Sequence, residues 1–437
     1  MANNKEVTTG AGKAGHVQDD FDLKPVAAAL RQGPASMAFV FFAWCCTLNH
    51  ALVGAAIGTQ ATFTTALWAC VVACIIYIAL GIPQGIIGQR TGLTTGMLCR
   101  YSFGIKGSKV GTSIAAIAMW GWMCFDMWTG AAVVMALFDA AGINRIAGWV
   151  LGAILMASIA AFGAYKGITG IKWIAWTTTP IAIILFIILI VASVRAGGGM
   201  EVIMQYQPPV SAPFFIVVNV ALGSWINGTT LYNDMTRMCK DGKTVAVAVV
   251  SGICMAFVLL MLGFVGMMGT GAYGIAALGI SLGGALFYVT EFFTLIAMGN
   301  TVPGTDYVIS QGWSSVFARN RKPFCIIVPL VGVIIGTLIE FVFGIASIQT
   351  FVNFLATFMP PIMGVMMADF YVVNKGHYGP VEELTVQFSA SGLIALAAGA
   401  AVSGYFTFVA HTGLPALFGI IVSFVLLIIL KKGAKLS

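Results

Sequence analysis

The sequence predicts an all-α polytopic membrane protein with twelve transmembrane helices, and three observations carry that expectation. Of the 437 residues 59% are hydrophobic and 8% charged, against roughly 25% charged in a soluble domain, so there are too few charges to wet a soluble surface. Apolar stretches of about 20 residues, the length needed to cross roughly 30 Å of hydrocarbon, recur between charges or Pro/Gly/Asn clusters. With the N-terminus inside and twelve crossings, twenty of the 22 Lys and Arg fall on the inner side, and only Arg145 and Arg195 fall outside.

Taken in order, residues 1–36 are polar, lack the apolar core of a signal peptide and read as a cytoplasmic tail. The spans fall near 37–59, 63–83, 110–137, 147–165, 170–194, 214–232, 244–268, 284–308, 324–343, 348–368, 388–409 and 414–430. The organisation expected is a first five-helix unit at 37–194, an extracellular connection at 195–213, a second five-helix unit at 214–368, a cytoplasmic loop at 369–387, two further helices at 388–430 and a cytoplasmic tail at 431–437. This describes a multi-pass protein of the cytoplasmic (inner) membrane, surrounded by lipid, with both termini cytoplasmic.

The same pattern excludes several classes. Scattered loop-end basic residues are not a nucleic-acid face. The nine cysteines lie mostly in apolar stretches with no metal-ligand spacing and read as packing residues. No soluble domain interrupts the spans, the longest polar stretches being near 84–109, 195–213 and 369–387, so an enzyme is not expected and no cofactor is implied. The Gly-rich segment GTGAYGIAALGISLG at 269–283 lacks the lysine and strand of a phosphate loop and reads as an irregular extracellular hairpin.

Function is sought where the bilayer is broken, because ionisable groups inside a span usually face a cavity or a partner. Asp126 lies mid-span in MWGWMCFDMWTG and follows Trp122 by one helical turn, so carboxylate and indole share a face. The alternative is an aromatic belt with a structurally paired acid. Glu291, Asp306, Glu340 and His50 are the other ionisable residues within spans. In the sixth span, ALGSWINGTTLYND at 221–234 packs Gly223, Ser224, Asn227, Gly228, Thr229 and Thr230 into an apolar run, a broken helix lining a cavity or else a tight packing face. The first span holds an echo, TLNHALVGAAIG at 47–58, with Asn49, His50 and a Gly54/Gly58 face. Two discontinuous helices five spans apart are what transporters built from inverted five-helix repeats place around substrate and ion. In the eighth span, MGNTVPGTDYVIS at 298–310, Pro303–Gly304 is expected to break or kink the helix near Asn300, Thr301, Thr305 and Asp306.

Three segments, TGLTTGMLCRYSFGIKGS at 91–108, GSWINGTTLYNDMTR at 223–237 and FLATFMPPIMGVMMADFYVVNKGHY at 354–378, resemble the cytosine permeases of the nucleobase-cation-symport-1, or purine-cytosine permease, family. The resemblance runs from about residue 33 to 378. It implies a leucine-transporter-like fold of inverted five-helix repeats plus two C-terminal helices, and import of nucleobases or related heterocycles with Na⁺ or H⁺. It also implies that Trp122 stacks on the substrate ring, that Asp126 occupies the place of an amide that bonds the ring in hydantoin carriers, and that Gly223, Ser224 and Trp225 close the other face, with Asn227 two positions on. Thr305 is nearest to the eighth-helix asparagine that reads the base. For the coupling ion, the first-helix carbonyls match Ala43 and Cys46. The paired helix-eight hydroxyls fall on or beside Val302–Pro303–Gly304 and are absent, which leaves Asn300 beside the ion and Asp126 and Asp306 as proton carriers.

The expected function is therefore a monomeric secondary active transporter of a small-molecule, nucleobase-like solute such as cytosine, hydroxymethylpyrimidine or a purine, with Na⁺ or H⁺ coupled and no nucleic-acid partner. An ionised Asp126 accepts hydrogen bonds only, which favours a donor-rich heterocycle edge. An amine or amino-acid carrier of the same fold is the alternative, and a membrane-embedded enzyme or a passive channel follows further behind.

Overall fold

The computed structural model describes residues 23–343 and 357–433. Most of the tail at 1–36, the first part of the tenth span and the last residues lie outside the described residues.

The first span is two helices, α1 (Pro34–Trp44) and α2 (Asn49–Gly58), bent by 59° across residues 45–48. Then follow α3 (Phe63–Thr91), a short α4 (Thr95–Phe103), α5 (Ser108–Ala140), α6 (Arg145–Tyr165), α7 (Ile168–Ala196) and a one-turn α8 (Met200–Met204). The sixth span is also in pieces: α9 (Phe214–Gly223), α10 (Ile226–Thr230) and α11 (Tyr232–Thr236). After it come α12 (Gly242–Thr270), α13 (Ile275–Leu282), α14 (Gly284–Phe317), α15 (Phe324–Leu338), α16 (Pro360–Met367), α17 (Ala390–Tyr405) and α18 (Pro415–Gly433). Among the described residues nine helices are long and apolar enough to cross a membrane. The bent α1–α2 pair makes a tenth, and the shorter apolar helices Phe214–Gly223 and Pro360–Val373 are consistent with twelve.

Local chemistry starts several of these helices where it should. Thr62, Thr94, Asn144 and Asp241 occupy the N-cap positions of α3, α4, α6 and α12, each accepting from a first-turn amide. Packing then sorts them into two groups. The α1–α2 pair and α3 lie against α12, with α9 and α11 on α3, whereas α5, α6, α14 and α15 pack on one another. The α2–α12 contact is backbone to backbone. A Cβ at Gly54 would lie 2.1 Å from the carbonyl oxygen of Leu260, and one at Gly263 would lie 2.0 Å from that of Ala51. α17 and α18 pack on each other and on α16 through small residues.

Three expectations change. The helix α14 runs unbroken through Pro303, and the proline ring fills the space left by Gly163, where a Cβ would be 2.4 Å away. The hairpin at 269–283 contains α13, whose eight residues are delimited by Gly274 and Gly283 at positive φ. The polar stretch at 84–109 is mostly the end of α3 and the largely buried α4. Two loop-end charges are also inside: Arg237 and Arg321 are 1% and 2% exposed.

Candidate substrate site

The breaks in the first and sixth spans face α5 across a small inner cavity. It is lined by Thr47, Asn49, Met119, Trp122, Asp126, Ser224, Trp225, Asn227, Gly228, Thr301 and Thr305. Six of the seven residues expected to bind substrate therefore meet in one place; Gly223 is the exception and lies on the vestibule beyond. In this conformation the side chains have drawn together, and the cavity has room for little more than a water molecule.

Asp126 is buried, and its Oδ1 accepts from the Thr47 hydroxyl at 3.1 Å and from Asn49 Nδ2 at 3.3 Å. The acid thus pins α5 to the break of the first span, where a polar group has no water to turn to. Trp225 forms the opposite wall. Its indole Nε1 donates to Tyr232 Oη at 2.9 Å, and its ring stands edge-on to Trp44 with centroids 5.2 Å apart and tilted against His50 at 5.4 Å. Gly228 is required here, since a Cβ would come 2.6 Å from that indole. Between the walls several buried polar atoms have no partner among the described residues: both amide atoms of Asn227 and Oδ1 of Asn49. Unmade hydrogen bonds of this kind cost about 1–3 kcal/mol each, and a ligand with polar edges would offset them.

Asn49 and Trp122 also line a second, larger space. This vestibule, about 1510 Å³ with its open mouth, runs between Leu52, Phe125, Gly223, Tyr273 and His411 to the end of the bundle remote from the N-terminal segment. The other end is shut. There Asp234 accepts from Thr95 N at 3.0 Å and Thr95 Oγ1 at 2.5 Å. With its amide oriented to satisfy both ends, Gln311 donates to Asp234 at 3.0 Å and accepts from Arg237 and Tyr307. The segment before α1 crosses over this network, with Val26 N bonded to Gly92 O, Arg31 Nη1 to Gln89 O and Gln32 N to Met238 O.

The residues expected around the ion make their hydrogen bonds apart from one another. Asn300 lies against α7, its Oδ1 accepting from the Thr178 hydroxyl. Asp306 accepts from Ser310 at 2.8 Å on its own helix. Neither meets Ala43 or Cys46 by a hydrogen bond. Thr301 reaches the end of α1 by hydrogen bonds, its hydroxyl lying 3.2 Å from the carbonyl oxygen of Trp44 and 3.5 Å from that of Ala43. Thr301 lies two positions before Pro303, in the polar stretch beside the Pro303–Gly304 pair already marked in the sequence. The other acids have plainer surroundings: Glu340 Oε2 accepts from Trp128 Nε1 at 2.7 Å, and Glu291 lies beneath α13 beside Gly279. Among the described residues no group of His, Cys, Asp and Glu forms a metal site.

Two broken spans around a central cavity, with a vestibule at one end and a hydrogen-bonded network at the other, are the arrangement of transporters built from inverted repeats. The chain matches the family described as permease for cytosine/purines, uracil, thiamine, allantoin over residues 25–403, and it belongs to that family. It is a transporter, not an enzyme. It is 23% identical to the cytosine permease of Escherichia coli K12 over 82% of this chain and 83% of that one. It is 24% identical to the hydantoin permease of Microbacterium maritypicum over 78% and 73% of the two chains. In fold it is similar to the nucleobase-cation-symport-1 transporter Mhp1, solved closed with bromovinylhydantoin bound, at a TM-score of 0.80 and 18% identity over 93% of each chain. A Na⁺-coupled sialic acid symporter follows at 0.66 and 11% identity, covering 95% of this chain and 92% of that one. The leucine-transporter-like, multi-pass membrane fold is thus shared.

Proposed function

We propose that the protein imports a planar, nucleobase-like heterocycle by cation-coupled symport, with the inner cavity as its substrate site. The observation that carries this is the convergence of Trp122, Asp126, Ser224, Trp225, Asn227 and Thr305 on one buried cavity between the two broken spans. A heterocycle lies between the Trp122 and Trp225 indoles, and such stacking is worth about 1–3 kcal/mol per base. Asp126 accepts from an amino or ring N–H edge, and the Asn227 amide supplies one donor and one acceptor to the remaining edge. The family description and the relatives named for cytosine and hydantoin support a ring with just such an edge.

With the N-terminal end cytoplasmic, as the basic residues indicate, the vestibule faces outward and the Thr95–Asp234–Gln311–Arg237 network is the inner closure. Substrate descends past Trp122, the walls part to admit it, and the two inverted repeats then rock so that the inner closure opens. The coupling cation lies between the end of α1 and α14, where the Ala43 and Trp44 carbonyls and the Thr301 hydroxyl provide oxygen donors suited to sodium. Asp126 and Asp306 are the groups available to a proton instead.

The test is uptake into vesicles of labelled cytosine, hydroxymethylpyrimidine, adenine, guanine and uracil, with Na⁺ present or replaced by choline. Saturable uptake of at least one, abolished by dissipating the driving gradient, is expected. If none is taken up, while lysine or choline is, the site serves an amine and this reading is wrong.

A further inference from the structure

A helix that stops inside a membrane leaves carbonyls without amides and amides without carbonyls, and no lipid supplies the missing partners. In the sixth span the break falls beside the carbonyls of Ala221 and Leu222, near the end of α9, and beside the amide of Trp225, whose backbone has left the helix at φ −144° and ψ 0°. Ala221 O still accepts from Ser224 N at 3.1 Å and from Ser224 Oγ at 2.8 Å. Leu222 O is left with a share of the Ser224 amide and a long bond of 3.4 Å from Trp225 N.

A closer partner comes from a side chain on another helix. Tyr77, fully buried on α3, places its hydroxyl 2.6 Å from Leu222 O and 2.8 Å from Ala221 O, to which its single proton is shared. The same oxygen accepts from Trp225 N at 2.9 Å and sits 3.2 Å from Ser224 Oγ. One phenol therefore holds both sides of the break. Two turns along the same face of α3, Gln84 Nε2 donates to Thr230 O at 3.0 Å, the end of α10. The residues between and beyond are small enough for the broken span to lie flush: a Cβ at Gly81 would be 2.6 Å from the Tyr232 ring, and one at Gly88 would be 2.7 Å from Asn233 Cα.

We infer that α3 is a splint for the broken sixth span and that Tyr77 is a positioning residue of the substrate site, fixing the Ser224–Trp225 backbone and so the Trp225 wall. Tyr77 itself lies outside the cavity lining and acts only through those two residues. Gln84 holds a carbonyl remote from the wall and serves the splint alone. The positioning claim rests on the inner cavity being the substrate site, as proposed above; the splint does not.

Tyr77→Phe keeps the ring and removes the hydroxyl. Hydrogen exchange on the purified full chain is expected to show the amides of 222–229 exchanging about tenfold faster, with 242–270 unchanged. Equilibrium binding of the best ligand from the uptake panel is expected to weaken about tenfold. In a double-mutant cycle with Ser224→Ala the losses are expected to be non-additive. Gln84→Met is expected to speed exchange near Thr230 and leave affinity as in the wild type, which a merely structural role for Tyr77 would also do. If Tyr77→Phe accumulates too little folded protein, difluorotyrosine at position 77 keeps the shape, weakens the acceptor for Trp225 N and is expected to raise exchange there. Unchanged exchange at 222–229 overturns the splint. Faster exchange with undiminished affinity overturns the positioning role. If no panel ligand binds the wild type, the functional proposal fails, and exchange alone then decides the splint.

Discussion

The hydroxyl of Thr47 lies 3.1 Å from the carboxylate of Asp126, at the point where the break in the first span faces the middle of α5. Together with Asn49 it places both bonds on one carboxylate oxygen, Oδ1. A residue whose spacing from Trp122 suggested a ligand contact is also a tie between two packing groups. Under the proposed function, a ligand bound at Asp126 would act on the first span through this one side chain.

Asp126→Asn keeps an acceptor for Thr47 and Asn49 while removing the charge. Folded yield is expected to match the wild type. Binding of a donor-edged ring such as cytosine is expected to weaken by at least about tenfold, the scale of a hydrogen bond to a charged group at about 1.5–3 kcal/mol, and that of uracil to change less. Equal loss for both rings would show that Asp126 does not read the edge.

The carboxylate of Glu340 bonds Trp128 on the side of α5 away from the inner cavity. Glu340→Gln retains an acceptor for that indole, and transport is expected to remain within about twofold of the wild type. A large fall in uptake with normal folded yield would give this acid a transport role that its position does not explain.

At the α2–α12 crossing, space rather than chemistry decides. Gly263→Leu drives a side chain into the Ala51 carbonyl, and strain of about 1–3 kcal/mol or more is expected. The measurement is the monodisperse fraction and melting temperature in detergent. Gly33→Ala meets nothing within 4 Å and is the silent control.

What the sequence made legible is what composition and one-dimensional spacing encode. The apolar stretches, the two interrupted spans and the Trp122–Asp126 turn are all properties of contiguous residues, and the described part of the fold agrees with them. Tyr77 and Gln84 escaped because each matters through a partner distant in sequence: a tyrosine or glutamine in a long apolar helix gives no local sign of which backbone it caps. Pro303 misled for the complementary reason. Its helix-breaking tendency is local, and the space left by Gly163 that accommodates it is not. Arg237 and Arg321 counted as loop charges by position, yet they are drawn inside by Tyr307: Arg237 bonds its hydroxyl at 3.0 Å, and Arg321 lies over its ring at 4.9 Å.

The central claim, a heterocycle stacked between Trp122 and Trp225 beside Asp126, is tested most directly by equilibrium binding of labelled cytosine, hydroxymethylpyrimidine, adenine, guanine and uracil to the purified protein and to Trp122→Ala. At least one ring is expected to bind the wild type and to lose about 1–3 kcal/mol, roughly five- to 150-fold in affinity, in the variant. Undiminished affinity in a folded Trp122→Ala protein would contradict the account.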